Sequence, residues 1–385
     1  MSVTCPQGFS AAGVHAGLKA QDKLDLAVVV NNGPSQVGTC VFTSNRAKAN
    51  PILWSQKAIE SGVIAAIVLN SGGANCFTGQ FGYDTTKLTA EESAHILGTI
   101  PSHIQVCSTG LIGEGGTAFR EAIVNALPVA FSQASADGGD RAAQAIMTTD
   151  TVAKTAEYQG DGWSIGAMAK GAGMLAPGLA TMLVVITTDA DISQPVAQHA
   201  LKVATSVSFD RLDADGCMST NDQVTLMVSG ASGVRVESDT FVNALTEVCI
   251  ELALKLLSDA EGASHDIAIN VTGARSVEDA LSVGRSVARN NLFKAAIFGN
   301  DPNWGRVLAA IGTTDAQFDP YNVDVALNGV RVCSQGEPDR PRDEVDLTER
   351  EVVLDIDLKS GNSRATIWTN DLTYDYVHEN SAYSS

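Results

Sequence analysis

Short apolar runs rich in β-branched residues recur along the chain, and they constrain its fold more than any other feature. Each run is bounded by Gly, Asn, Asp or Ser, which is typical of strands separated by turns. The predicted strands are Leu26 to Val30, Val63 to Leu69, Ile104 to Cys107, Met182 to Thr187, Val224 to Val228, Ile267 to Val271, Val323 to Leu327 and Val352 to Ile356.

Two segments between these runs have the spacing of amphipathic helices. In Val242 to Leu257 the apolar residues recur every three or four positions, so they lie on one helical face. Ser276 followed by Asp279 predicts the N-terminal cap of a second helix that reaches about Arg289. Because the strand spacing is too irregular for an alternating barrel, we expect an α/β protein with layered sheets flanked by helices.

The charge balance and the cysteines narrow the class of protein. The chain has 44 Asp and Glu residues against 25 Lys and Arg, a net charge of −19. Such a chain repels phosphate backbones and anionic lipid, so we expect no nucleic-acid and no membrane partner. The N-terminal segment lacks the pattern of a secretory signal, and the seven cysteines form no CxxC pair. These features predict reduced thiols and a cytoplasmic protein.

Several common catalytic motifs are missing from the sequence. It contains no HExxH and no P-loop, and its six histidines are scattered, so we expect neither a metal nor a cofactor. Gly171 to Ala176, GAGMLA, matches the dinucleotide pattern GxGxxG/A. That pattern requires a helix to follow, which Pro177 and Gly178 disfavour, so a dinucleotide-binding module is the weaker alternative.

The Ala180–Thr181 pair stands between a glycine-rich segment and a strand-like run. If the peptide bond before Thr181 is cut, the threonine becomes a nucleophile whose own α-amine, with a pKa near 7.7–8.0, is the base. Threonine is also an ordinary residue at the start of a strand, and this interpretation is favoured when the residues alone are considered.

The segment MAKGAGMLAPGLATMLVVITTDA resembles the signature of the ornithine acetyltransferase family, also called glutamate N-acetyltransferases. Other family motifs have counterparts in the same order over essentially the whole chain: Val41 to Arg46, Asn70 to Asn75 with Thr78 and Gly79, Ser108 to Gly113, Ile146 to Thr151, Ser219 to Asp222, Glu261 to Ser264, Phe298 to Arg306 and Asn380 to Ser385. The chain has Pro-Gly-Leu where the family usually has Pro-Asn-Met before Ala-Thr. It also lacks the usual Leu-Pro-Met stretch after Gly113, and both departures indicate a paralogue with altered donor preference or pathway but the same core chemistry.

The resemblance implies a fold and a processing event. The fold is that of ornithine acetyltransferases and self-processing aminopeptidases, with α-β-β-α layers. Self-cleavage between Ala180 and Thr181 would give an α chain of residues 1–180 and a β chain of residues 181–385, which together form one catalytic unit. The family also implies an assembly of two α and two β chains, or a larger one.

The resemblance further implies that the acetyl group of N2-acetylornithine passes to glutamate in a ping-pong cycle through an acetyl-Thr181 ester. Thr109 and Gly110 match the oxyanion pair of the family. The residues expected to contact the substrates are Thr148 or Thr149, Lys170, Thr181, Glu261, Asn380 and Ser385. Lys170 is expected to meet the α-carboxylate, and Glu261 to face a substrate ammonium or to position the Thr181 amine.

Two alternative functions remain open for a chain with this resemblance. One is a bifunctional enzyme that also uses acetyl-CoA, and the other is a self-processing aminopeptidase or amidase of similar fold. Because the acidic sequence contains no phosphate-cradling motif, we expect acetylornithine to be the efficient donor.

Overall fold

The computed structural model describes residues 2–20, 23–176 and 182–382. The chain divides into two compact units, which are described separately. The first consists of Met1–Ala172, Gly178–Asp210 and Met218–Leu256, and the second of Gly173–Pro177, Arg211–Cys217 and Leu257–Ser385.

The first unit contains two β-sheets and most of the helices that flank them. Its strands are β1 Phe9–Val14, β2 Leu26–Asn31, β3 Val37–Phe42, β4 Ala66–Ser71, β5 Ile104–Thr109, β6 Lys154–Gln159, β7 Ser164–Lys170, β8 Leu183–Thr188 and β9 Gln223–Val228. Its helices are α1 Asn50–Ala58, α2 Gly79–Leu97, α3 Thr117–Ser132, α4 Gly139–Ala145, α5 Gln194–Val207 and α6 Ser238–Ser258, whose last two residues belong to the second unit.

The two sheets of the first unit have the strand orders β1-β2-β4-β5 and β3-β9-β8-β7-β6. The pairs β4–β5 and β8–β9 are parallel, and the other neighbours are antiparallel. All six residues of β8 are buried, which indicates that both faces of the second sheet are covered.

The core of the first unit lies between its sheets. One hydrophobic cluster joins Val29 and Leu69 of the first sheet to Met168 and Val185 of the second, so the sheets pack face to face. Helices α2 and α3 cover the other face of the first sheet. Helix α5 contacts β3, and the Phe241 ring of α6 lies 5.8 Å from the Trp163 ring beside β7. The predicted α-β-β-α layering is confirmed for this unit.

The second unit has one sheet with helices on one face. Its strands are β10 Asp266–Ala274, β11 Asp324–Leu327, β12 Val330–Ser334, β13 Glu337–Pro338, β14 Glu351–Asp357 and β15 Ser363–Asn370, and its helices are α7 Val277–Ala288, α8 Asn291–Phe298, α9 Trp304–Ile311 and α10 Tyr374–Ala382. The sheet order is β13-β12-β11-β14-β10-β15, and helices α7, α8 and α9 pack against it through one cluster. The Ser276 hydroxyl accepts a hydrogen bond from Asp279 N, which confirms the predicted cap of α7.

Candidate active site

The predicted site residues that the structure describes fall at strand ends or in loops, except Asn380, which lies in helix α10. Thr109 ends β5, Gly110 follows it, Lys170 ends β7, and Thr148 and Thr149 lie between α4 and β6, all in the first unit. Glu261 and Asn380 belong to the second unit. Ala180, Thr181 and Ser385 lie outside the described residues.

Lys170 and Thr109 meet although they end strands of different sheets. The Lys170 ammonium donates a hydrogen bond of 3.3 Å to Thr109 Oγ1, and both residues are buried. Because an ammonium only donates, the Thr109 hydroxyl accepts this bond and keeps its own hydrogen for another acceptor. A hydroxyl held in this way is suited to stabilising a developing oxyanion.

A buried carboxylate that sequence reasoning missed, Asp150, faces this lysine. Its Oδ2 lies 4.0 Å from Lys170 Nζ, and its Oδ1 accepts hydrogen bonds from Lys154 Nζ at 2.6 Å and Gly171 N at 2.7 Å. Burial disfavours the charged carboxylate, but the two lysines and the Thr148 N–H outweigh it and lower the pKa of Asp150 to about 2. Asp150 is therefore ionised at neutral pH and provides the counter-charge for two buried lysines.

Lys19 extends this polar cluster towards the predicted threonines. Its ammonium donates a hydrogen bond of 2.7 Å to the carbonyl oxygen of Met147, the residue before Thr148. Burial lowers the pKa of Lys19 to about 8, and the Lys170 cation acts in the same direction. Thr148 and Thr149 are half-buried beside it. No local pattern could have identified Lys19, because its position depends on the contact with Met147.

The loop after β5 is held by close backbone contacts. Gly110 has a φ of +132°, and a Cβ built on it would lie 2.5 Å from Gly73 N, so a side chain does not fit there. Asn221 fixes the end of β5 and the loop after β4 by donating its side-chain amide hydrogens to the Ser108 and Ala74 carbonyl oxygens at 2.8 and 2.7 Å. Asn221 belongs to a motif noted in the sequence, but sequence reasoning gave it no role.

The geometry predicts a large cost for Gly110→Ala. The added methyl group meets strain from the positive φ, about 1–2 kcal/mol, and a clash with Gly73 that adds a further ~1–3 kcal/mol. Gly113→Ala is the matched control, because Gly113 also has a positive φ, of +92°, but open space around its Cβ position. We expect denaturant unfolding to show the larger loss for Gly110→Ala. Equal losses would mean that the contact with Gly73 is unimportant.

In the second unit, Glu261 packs against the glycine-rich segment. It follows α6, as predicted, and is half-buried. A Cβ built on Gly173 would lie 2.6 Å from Glu261 Oε2, so the carboxylate lies directly over the glycine backbone. The next residue, Met174, has a φ of +55° and donates its N–H to Asp215 Oδ2 at 2.6 Å. A methionine with positive φ indicates a strained backbone at this point.

The C-terminal helix α10, which carries Asn380, starts close to Glu261. A Cβ built on Gly262 would lie 2.2 Å from Tyr376 N, and the Thr373 hydroxyl donates a hydrogen bond of 2.6 Å to the Gly262 carbonyl oxygen. Asn380 is exposed, and its amide donates to the Tyr376 carbonyl oxygen at 3.0 Å. The structure therefore brings the start of α10 to the residue that follows Glu261.

The dinucleotide alternative loses its structural support. Residues 171–176 do follow a strand, β7, but none of them is helical, and β7 pairs antiparallel with β8 rather than leading into a βα unit. Among residues 2–20, 23–176 and 182–382, no group of three or more His, Cys, Asp or Glu side chains is placed to hold a metal ion. Within the same ranges, no helix is both long and apolar enough to cross a membrane.

Comparison with known proteins identifies the family. Residues 10–385 match the model of the ArgJ family. The chain is 56% identical to the arginine biosynthesis bifunctional protein ArgJ of Streptomyces coelicolor and 55% identical to that of Thermobifida fusca, in each case over 385 residues and the whole of both chains. A chain of the ornithine acetyltransferase from Mycobacterium tuberculosis, solved in complex with ornithine, is 44% identical over 47% of this chain and 96% of that chain, with a TM-score of 0.45. This chain belongs to the ArgJ family of arginine-biosynthesis acyltransferases.

Proposed function

We propose that this enzyme transfers the acetyl group of N2-acetylornithine to glutamate through an ester on Thr181, after cutting its own chain between Ala180 and Thr181. The observation that carries the proposal is the bond between Lys170 Nζ and Thr109 Oγ1. It joins a buried cation to a hydroxyl at the ends of two strands, in a chain whose family consists of acyltransferases.

The first step after processing is attack of the Thr181 hydroxyl on the acetyl carbonyl carbon, with the Thr181 α-amine as base. The carbonyl oxygen then becomes an oxyanion, and Thr109 Oγ1 and Gly110 N are the donors proposed to stabilise it. Removing one such donor typically costs about 10²–10³ in rate. Ornithine leaves, glutamate attacks the ester, and the same donors act on the second tetrahedral intermediate.

Substrate recognition follows from charge. Lys170 supports binding of the α-carboxylate that both substrates share, because Asp150 holds it buried at the end of β7. Thr148 or Thr149 adds a hydroxyl contact from the neighbouring loop. Glu261 is proposed to meet the side-chain ammonium of ornithine or to orient the Thr181 amine. Asn380 and Ser385 complete the proposed substrate contacts from the C-terminal end of the chain.

The processed enzyme is proposed to be cytoplasmic, with two α chains of residues 1–180 and two β chains of residues 181–385, or a larger assembly. The acidic net charge of −19 and the lack of any CxxC pair among the seven cysteines support this location. Size-exclusion chromatography with light scattering measures the assembly. A species with the mass of a single α and β pair would contradict it.

The acetylated enzyme is the most direct test of the ping-pong route. Incubation with acetylornithine alone should add one acetyl group to the chain that begins with Thr181 and release ornithine in a burst equal to the enzyme concentration. A self-processing amidase would instead hydrolyse amide substrates without passing the acyl group to glutamate. Release of acetate or of free amines at the same rate with and without glutamate would favour that alternative.

The acetyl donor gives a separate prediction. We expect glutamate acetylation to be at least about tenfold faster with acetylornithine than with acetyl-CoA at equal concentration. The reason is that Lys170 is assigned to the α-carboxylate, while Lys154 contacts Asp150 and Lys19 contacts main-chain carbonyls, so these cations do not meet the phosphate groups of acetyl-CoA. The relatives named above are called bifunctional, which supports acetyl-CoA as a second donor. Comparable rates with both donors would establish that alternative and refute the preference.

A further inference from the structure

Asp222 is a buried carboxyl group that the proposed mechanism does not yet use. It directly precedes β9, and it is completely inaccessible to solvent. Its Oδ1 accepts a hydrogen bond of 3.1 Å from Met182 N, and its own carbonyl oxygen accepts one of 3.0 Å from Thr43 N. These contacts place the carboxyl group beside Met182, the residue that follows Thr181 and precedes β8.

The other carboxyl oxygen, Asp222 Oδ2, is buried and has no hydrogen-bond partner of normal geometry among the described residues. A charged carboxylate left in this state is costly, so the neutral acid is the stable form. Burial raises the pKa of Asp222 well above its usual value. The Met182 N–H, the hydroxyls of Ser219 and Thr43, and the Lys170 cation act in the opposite direction without cancelling the effect of burial.

The proton of the neutral Asp222 carboxyl group matters because Met182, which bonds to that group, is covalently linked to Thr181. Met182 N, which bonds to Asp222 Oδ1, is attached to the carbonyl carbon of Thr181, so the carboxyl group faces the peptide unit that links Thr181 to Met182. We propose that Asp222 is the proton-transfer group of self-cleavage. This inference rests on the proposed function, because it assigns Asp222 a role in the proposed cleavage between Ala180 and Thr181.

The proposed step balances in atoms and charge. The Thr181 hydroxyl oxygen bonds to the Ala180 carbonyl carbon, and the bond from that carbon to Thr181 N breaks. Asp222 gives its proton to the departing nitrogen, which becomes a neutral amine, and takes up the proton released by the Thr181 hydroxyl. Asp222 therefore ends the step protonated, as it began. Water then hydrolyses the ester, which leaves the Ala180 carboxylate and the free Thr181 hydroxyl.

The test compares cleavage in Asp222→Asn with that in a matched control, Asp189→Asn. Asparagine keeps the shape and the bond from Met182 N but cannot transfer a proton. Asp189 is also buried and follows the opposite end of β8, where it accepts bonds from Ser164 N at 2.7 Å and Gln7 N at 3.0 Å. Each chain is made by cell-free translation and sampled over time on denaturing gels, with thermal unfolding measured in parallel.

We expect Asp222→Asn to slow cleavage by about 100-fold or more, and Asp189→Asn to cleave at nearly the wild-type rate even where it lowers the melting temperature. The wild-type rate should fall as pH rises through the pKa of Asp222, because only the protonated acid donates. If Asp222→Asn does not fold, this pH profile decides, and a flat profile overturns the inference.

Failure of this inference and failure of the proposed function give different cleavage results. If the wild type cleaves and Asp222→Asn cleaves equally fast, or if both variants slow in proportion to lost stability, the inference is wrong and the proposed function stands. If the wild type never cleaves, the self-processing part of the proposed function is wrong, and this inference fails with it.

Discussion

Replacing Thr181 with alanine should leave one uncut chain of 385 residues with no measurable acetyl transfer. Alanine lacks the hydroxyl that is proposed to attack the Ala180 carbonyl and later to carry the acetyl group, so we expect both processing and turnover to be lost. Loss of an essential nucleophile lowers kcat by more than about 10³-fold. Denaturing mass spectrometry of the wild type should instead show two polypeptides, the second beginning with Thr181.

Two variants separate chemistry from folding in this experiment. Thr181→Ser keeps a hydroxyl and should still cut. Thr187→Ala removes a threonine hydroxyl of β8 that donates to the Val3 and Gly166 carbonyl oxygens at 2.8 and 3.1 Å. It should lose stability but still be processed. A wild type that is uncut and fully active would rule out the N-terminal nucleophile.

The strands that the sequence predicts are those whose side chains carry the signal. Runs such as Leu26 to Val30 and Val224 to Val228 are built from apolar, mainly β-branched residues, and they form β2 and β9 within a residue or so. Strand β7, Ser164–Lys170, was not predicted because Gly166, Ala167 and Ala169 carry little strand preference. It is a strand because β6 and β8 pair with it on both sides.

Helix α2, Gly79–Leu97, was missed for a related reason. Its buried face includes Thr85, Thr86 and Thr89 in place of large apolar residues, so the sequence lacks the usual three-and-four spacing. The hydroxyls of these threonines donate to the carbonyl oxygen four residues earlier, which satisfies them inside the helix. Burial here depends on hydrogen bonding that a hydrophobic pattern does not record.

In the candidate site, too, some residues are recognisable from a sequence pattern and others only from their contacts in the folded chain. Thr109, Gly110 and Lys170 could be named because their motifs resemble those of a family. Asp150 and Asp222 also lie in such motifs, but no role could be assigned to them, since their proposed roles depend on contacts with Lys170 and Met182 that arise only after the strands have paired. Lys170 illustrates the limit well, because an isolated lysine in a sequence is usually solvated, whereas this one is only 1% exposed.

Replacing Lys170 with methionine should reduce kcat/KM for acetylornithine by about 100-fold, the cost of losing a hydrogen-bonded charge at a buried site. Asp150 keeps its bonds from Lys154 Nζ and Gly171 N in this variant, so we expect the unit to stay folded. Lys154→Met is the matched control. Lys154 is as buried as Lys170, and its Nζ lies 2.6 Å from Asp150 Oδ1. Lys154→Met should therefore lower the free energy of unfolding more, by about 3–5 kcal/mol, but should reduce activity less than Lys170→Met does.

The role of Lys170 is isolated by changing the substrate as well as the enzyme. The amide of N2-acetylornithine lacks the α-carboxylate, so the wild type should discriminate strongly against it. Lys170→Met should not, because the partner of that carboxylate is already gone. If Lys170→Met lowers kcat/KM by the same factor for acid and amide, Lys170 does not bind the carboxylate. Its contact with Thr109 would then be its main contribution, and the loss would appear in acyl transfer rather than in substrate binding.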